Sequence, residues 1–191
     1  VAPQLAGWMH PSTLILSIMA GVRLERLAAT LGAERVVRSM PNTPGAVGRG
    51  VTAYALSSAC ARDDRDATEQ LLGALGEVVG PLDESLMDAV TAISGSGPAY
   101  VFLLAEALES AGRELGLPPE VAARLARATV SGAGALMADG VDPAQLRQAV
   151  TSPNGTTAAA LDVLMGTDGL KRLLSEAAAA AARRSAELSG G

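Results

Sequence analysis

Hydrophobic positions follow two different rhythms along this chain. Over the first 80 residues they come as short runs, each followed by a segment with helical spacing. Residues 13–18 (Thr-Leu-Ile-Leu-Ser-Ile) form a nearly continuous apolar run that predicts a strand buried on both faces. Leu24, Leu27, Ala28 and Leu31 then fall on one helical face, closed by Gly32. Val36 and Val37 resume strand character, residues 40–50 read as a loop, and residues 51–56 as another strand. Asp63 or Asp64 is expected to cap a helix carrying Ala67, Leu71, Leu72 and Leu75 and ending at Gly76, before a short strand at residues 77–79. Such alternation predicts an α/β layer.

From Leu86 onward the spacing is wholly helical, so the chain reads as α/β followed by all-α. Pro98 opens a helix with a stripe of Val101, Leu104, Ala105, Leu108 and Leu115, stopped by Gly116 and Pro118. A second helix is expected over residues 119–138. Gly132 and Gly134 lie inside it at about 1 kcal/mol each relative to Ala, which points to close approach of another helix or to simple tolerance. Asp142, Pro143 and Gln145 form an N-terminal cap, with Val141 placed to staple against Leu146. In the last helix Leu170, Leu173, Leu174, Ala177, Ala178 and Ala181 share one face. The alanines bury little area alone, so this helix is expected to lie against another helix or chain.

Composition narrows the function classes. With 49% apolar and 18% charged residues the chain is not disordered, and four aromatic residues leave Ala, Leu and Val to build the core. A net charge of −5, without basic runs, argues against a nucleic-acid surface. One Cys and one His leave no intrachain disulfide and no metal cluster, which fits a reducing cytoplasm. No run of about 18 apolar residues supports a membrane span. Residues 1–21 lack the basic start of a signal peptide, their first firm cation coming only at Arg23.

The chemistry-bearing stretch is Thr151-Ser152-Pro153-Asn154-Gly155-Thr156-Thr157, between two helical patterns. Pro153 ends the incoming helix, and Asn154 and Gly155 reach positive φ at low cost. The turn therefore presents backbone N–H groups at a helix start, a site suited to a carboxylate or phosphate. A plain capped helix start is the competing reading. No G-x-G-x-x-G dinucleotide loop follows a strand, and residues 1–82 supply only half of a doubly wound sheet.

The run from Asp142 through Thr157 to Leu161 resembles the signature of the pyrroline-5-carboxylate reductases, which carry out the last step of proline synthesis. Two further stretches agree, Val37-Arg38-Ser39-Met40-Pro41-Asn42-Thr43-Pro44 and Asp88-Ala89-Val90-Thr91-Ala92-Ile93-Ser94-Gly95-Ser96-Gly97-Pro98-Ala99-Tyr100. This resemblance covers essentially the whole chain. It implies the C-terminal half of a Rossmann-like doubly wound sheet over residues 1–82 and a helical dimerisation and substrate-binding domain over residues 83–191. The first part of the nucleotide-binding domain is then expected to be missing.

What the resemblance implies for the site is specific. Thr157 would meet the ring nitrogen as the catalytic residue, and Ser152, Gly155, Thr156 and Thr157 would hold the substrate carboxylate, with Glu84 at a substrate-side position. NADPH or NADH would lie against Val1, Ala2, Pro3, Ala20, Gly21, Asn42 and Thr43. Ala2 stands where many members have Lys, and Asn154 where most have Gly. A homodimer or larger ring is expected, without metal, nucleic acid or membrane. A truncated, non-catalytic dimerising chain is one alternative, and a helical-domain dehydrogenase acting on a hydroxy acid is another. Tyr100 is read as packing, and Cys60, His10 and Trp8 as structural.

Overall fold

The computed structural model describes residues 9–10 and 12–190 of the chain. Val1, Ala2 and Pro3, expected at the cofactor, lie outside the described residues. The chain divides into two compact units, one holding the described residues up to Pro98 together with residues 177–190, the other spanning Ala99–Glu176.

The first unit is built on a four-stranded mixed sheet in the order β1 (Ile15–Ser17), β2 (Val36–Pro41), β3 (Gly50–Leu56), β4 (Gly76–Val79). Helix α1 (Leu24–Leu31) links β1 to β2 in parallel, and α2 (Arg62–Leu72) links β3 to β4 in parallel. Strands β2 and β3 run antiparallel, pairing Val37 with Leu56 through to Pro41 with Thr52. Only a short 3-10 turn (Thr43–Val47) joins them, and a connection that short cannot make the crossover a parallel pair requires. Because side chains alternate along a strand, neighbouring valines of β2 serve opposite faces. Val36 packs with Leu24, Leu27, Ala55 and Met87, while Val37 packs with Tyr54 and Leu72.

Several local expectations need correction. The first strand is shorter than residues 13–18 and, among the described residues, pairs on one edge only; Ile18 and Met19 are exposed just beyond its end. Helix α2 begins after Ala61, not after Asp63 or Asp64. Asp64 reaches back from inside the first turn, accepting from Ala61 N–H at 2.9 Å, and also pairs with Arg35. The helix ends at Leu72, and Leu71 faces solvent instead of the core. A 3-10 turn (Gly73–Leu75) carries the chain on to β4.

After β4 come a 3-10 turn (Glu84–Leu86), the short helix α3 (Met87–Val90) and a π-helical turn (Thr91–Gly95). The remaining helices are α4 (Gly97–Glu114), α5 (Pro119–Met137), α6 (Pro143–Ala149), α7 (Thr156–Leu164) and α8 (Leu170–Gly190). Asp142 caps α6 as expected, accepting from Ala144 N–H at 2.7 Å and Gln145 N–H at 3.1 Å. Between Ala99 and Glu176 the only buried side chains are Ala122 and Ala126. The α4 stripe is solvent-facing at Val101, Leu104 and Leu108, and Leu115, just past the helix end, is exposed as well. Nothing among the described residues approaches the open sides of Gly132 and Gly134, so no close helix within this chain explains them.

Candidate functional site

The loop before α7 turns where its residue types dictate, but only one of the two residues expected to reach positive φ does so. Asn154 takes the left-handed conformation (φ 60°), whereas Gly155 sits at φ −80° as the N-cap residue. Gly155 packs closely on Ser152: a Cβ there would stand 2.4 Å from Ser152 Oγ and 3.1 Å from its carbonyl oxygen, so a larger residue would make the Ser152 side chain turn aside. Gly155 N–H donates to the Ser152 carbonyl at 3.1 Å, closing the turn that Pro153 begins. The first intrahelical bond arrives at Ala159 N–H, which donates to the Gly155 carbonyl at 3.2 Å. Among the described residues no side chain caps α7. Its first amides thus point out of the helix start beside the exposed Ser152 and Thr156 hydroxyls and half-buried Thr157, an arrangement that favours an anion.

The second group of expected residues lies along the carboxyl edge of the sheet. Strands β1 and β2 are parallel, so residues 18–21 and residues 41–43 leave the sheet on the same side. Ile18, Met19, Ala20 and Thr43 are exposed there, giving an apolar edge with one hydroxyl. Asn42 spends its side chain internally: Oδ1 accepts from Val51 N–H at 3.0 Å and Nδ2 donates to Ser94 Oγ at 3.3 Å. Of residues 41–43 this leaves Thr43 as the exposed side chain. Ser94 belongs to the π-helical turn, a geometry that often marks functional positions.

Glu84, expected on the substrate side, accepts from Leu24 N–H at 2.7 Å and from Arg38 Nη1 at 3.1 Å. Ser152, Gly155, Thr156 and Thr157 share one loop of the helical unit, while Ala20, Gly21, Asn42, Thr43 and Glu84 belong to the sheet-bearing unit. Sequence reading named Arg38, Asp88 and Ser94 only within the stretches that carry the resemblance and gave them no role. Arg38 did carry a signal, because a lone cation inside an apolar strand needs a buried partner.

The family model described as pyrroline-5-carboxylate reductase dimerisation matches residues 84–188. A pyrroline-5-carboxylate reductase of Pseudomonas aeruginosa is 44% identical over 190 residues, covering 98% of this chain and 69% of that protein. The chain belongs to the pyrroline-5-carboxylate reductase family. The Pisum sativum reductase is 42% identical, with 99% of this chain and 69% of the plant protein covered. Among solved structures, the reductase of Coxiella burnetii superposes with a TM-score of 0.88 at 39% identity, covering 98% of this chain and 70% of its own. The Plasmodium falciparum reductase, solved with NADP bound, gives a TM-score of 0.86 at 31% identity, covering 98% and 74%. The residues matched by the dimerisation model begin at Glu84, just after the last strand of the sheet. Among the described residues no helix is long and apolar enough to cross a membrane.

Proposed function

We propose that this chain carries out the family reaction, hydride transfer from a reduced nicotinamide nucleotide to the C=N bond of 1-pyrroline-5-carboxylate to give L-proline, in the cytoplasm and as a homo-oligomer. The observation that carries the reading is the uncapped α7 start at Gly155, with Thr157 half-buried as the second residue of the helix. Its outward amides, with Ser152 nearby, hold the substrate carboxylate through charge-assisted hydrogen bonds and the helix dipole. Thr157 donates its hydroxyl proton toward the ring nitrogen, orienting the imine and stabilising charge as the nitrogen becomes an amine.

The sheet edge fits the nicotinamide end of the cofactor. A flat, partly apolar ring matches exposed Ile18, Met19 and Ala20, and Thr43 offers a hydroxyl beside them. When bound, NADPH or NADH supplies the hydride, and the protein positions and polarises. Asn42 acts there by fixing its loop through Val51 and Ser94.

Oxidation of NADPH on addition of 1-pyrroline-5-carboxylate, followed spectroscopically, tests the reaction. Thr157→Ala is expected to reduce kcat by about 10²-fold, the low end for loss of a positioned proton donor, with the oligomeric state unchanged. Turnover equal to the unaltered chain would remove Thr157 from the mechanism.

A further inference from the structure

A cation in the middle of a buried strand must be met inside the protein by opposite charge. Arg38, on β2, is 4% exposed. Glu84 Oε1 lies 3.1 Å from its Nη1, and Asp88 Oδ1 lies 3.9 Å from its Nη2. Each carboxylate also has a second partner. Glu84 Oε1 accepts at 2.7 Å from the Leu24 amide, one of the α1 N–H groups that no carbonyl within the helix can reach. Asp88 accepts from Ser185 Oγ at 2.6 Å, with Ser189 Oγ 3.5 Å away. Both serines are buried residues of α8, and Ser189 Oγ also donates to the Ser185 carbonyl at 2.9 Å.

The same end of α8 presses on the turn between β1 and α1. Gly21 is buried at φ 71°, and a Cβ there would stand 3.0 Å from the Cβ of Leu188. Residues 19–24 are therefore held at two points that converge on Arg38: the Leu24 amide through Glu84, and Gly21 through the helix that Asp88 tethers.

We infer that Arg38 is a positioning residue that sets the turn at residues 19–21 through Glu84 on one side and Asp88 with Ser185 on the other. It touches neither substrate nor cofactor, and its role in the reaction rests on the reading of that turn as facing the nicotinamide. Glu84 thereby acts as a support for the cofactor edge, one step removed from the substrate.

The test is amide hydrogen exchange and NADPH titration by fluorescence on the full 191-residue chain. Arg38→Met is expected to speed exchange at residues 21–24 about tenfold more than at Val37 and Ala55, as local opening does. It should weaken NADPH binding by a similar factor, and Arg38→Lys should restore part of both. Exchange accelerated equally across the sheet, or NADPH affinity unchanged, overturns the inference, since a merely structural cation would act everywhere alike. If Arg38→Met does not fold, Ser185→Ala with Ser189→Ala should give the same local pattern at about fivefold, the loss expected for about one net hydrogen bond. No local change there also overturns it. Ala20→Phe separates the two layers of the argument: NADPH binding that survives the ring refutes the cofactor-facing turn, whereas binding lost in Ala20→Phe and kept in Arg38→Met refutes only the role of Arg38. An unaltered chain that does not bind NADPH sinks both.

Discussion

The two compact units draw on the same small set of aliphatic residues and use them in opposite ways. Around the sheet, Leu27, Val36, Val37, Tyr54, Leu72 and Met87 are sealed from solvent on two faces. In Ala99–Glu176, Phe102, Leu103, Leu104, Leu125, Leu136, Val163 and Leu173 are exposed, and only two alanines are buried. Burial of apolar surface is the main favourable term in folding, so the first region carries its own stabilisation and the second awaits an apolar partner. Membership of a family whose helical region is a dimerisation domain identifies that partner as another copy of the chain. One region is thus stable through its core and the other through assembly, with a candidate substrate grip on the region completed by assembly.

Breaking the assembly should have the largest effect. Leu104→Glu with Leu173→Glu places two charges on exposed apolar helices, and by the usual cost of a lost interface anchor, about 2 kcal/mol each, the dimer should give way to monomer in sedimentation velocity. The loss should be relieved by raising protein concentration. An unshifted dimer would place the interface elsewhere. Next in size is Leu27→Ala in the sheet core, expected to cost about 2–5 kcal/mol in denaturant unfolding, here without concentration dependence. A concentration-dependent loss would erase the distinction between the regions.

Smaller effects come from pH. The Arg35 guanidinium, followed by the Ala61 amide, holds the Asp64 carboxyl below its ordinary value. Its contribution to stability is complete above the ordinary carboxylate value of about 4 and is lost as pH falls toward the lowered value. Burial, then the 2.6 Å hydrogen bond to Glu69, pushes the Tyr54 hydroxyl up to about 12. The sign here is opposite: its contribution is complete below about 10 and is lost as pH rises through about 12. Melting temperatures measured across both ranges should fall at the two ends for these reasons. Asp64→Asn should flatten the acid limb, and Tyr54→Phe the alkaline one. Limbs unchanged in these variants would assign the pH response to other groups.

Much of this arrangement was legible in the residues. Helix α5 begins at Pro119 as its spacing and prolines dictate, Asp142 caps α6, and Gly32 closes α1 at φ 62°. What periodicity could not reveal was strand direction. An apolar run has the same pattern whichever way it points, and only the short link between β2 and β3 forces the antiparallel pair. Asp64 was visible as a helix-start residue but not as the third residue of its helix, since Ala61 gives no capping signal. For the site, the Pro153, Asn154, Gly155 turn was readable, yet the division of labour between Asn154 and Gly155 depended on how closely Ser152 packs. Ser185 and Ser189 carried no signal in the sequence, and only tertiary contact with Asp88 gives them a role.

The most direct test of the proposed chemistry is a crystal structure of the dimer with L-proline. The proline carboxylate is predicted to lie within hydrogen-bonding distance of the Thr156 and Thr157 amides, with the ring nitrogen toward Thr157 Oγ1. Proline bound elsewhere, with those amides facing solvent, would contradict it.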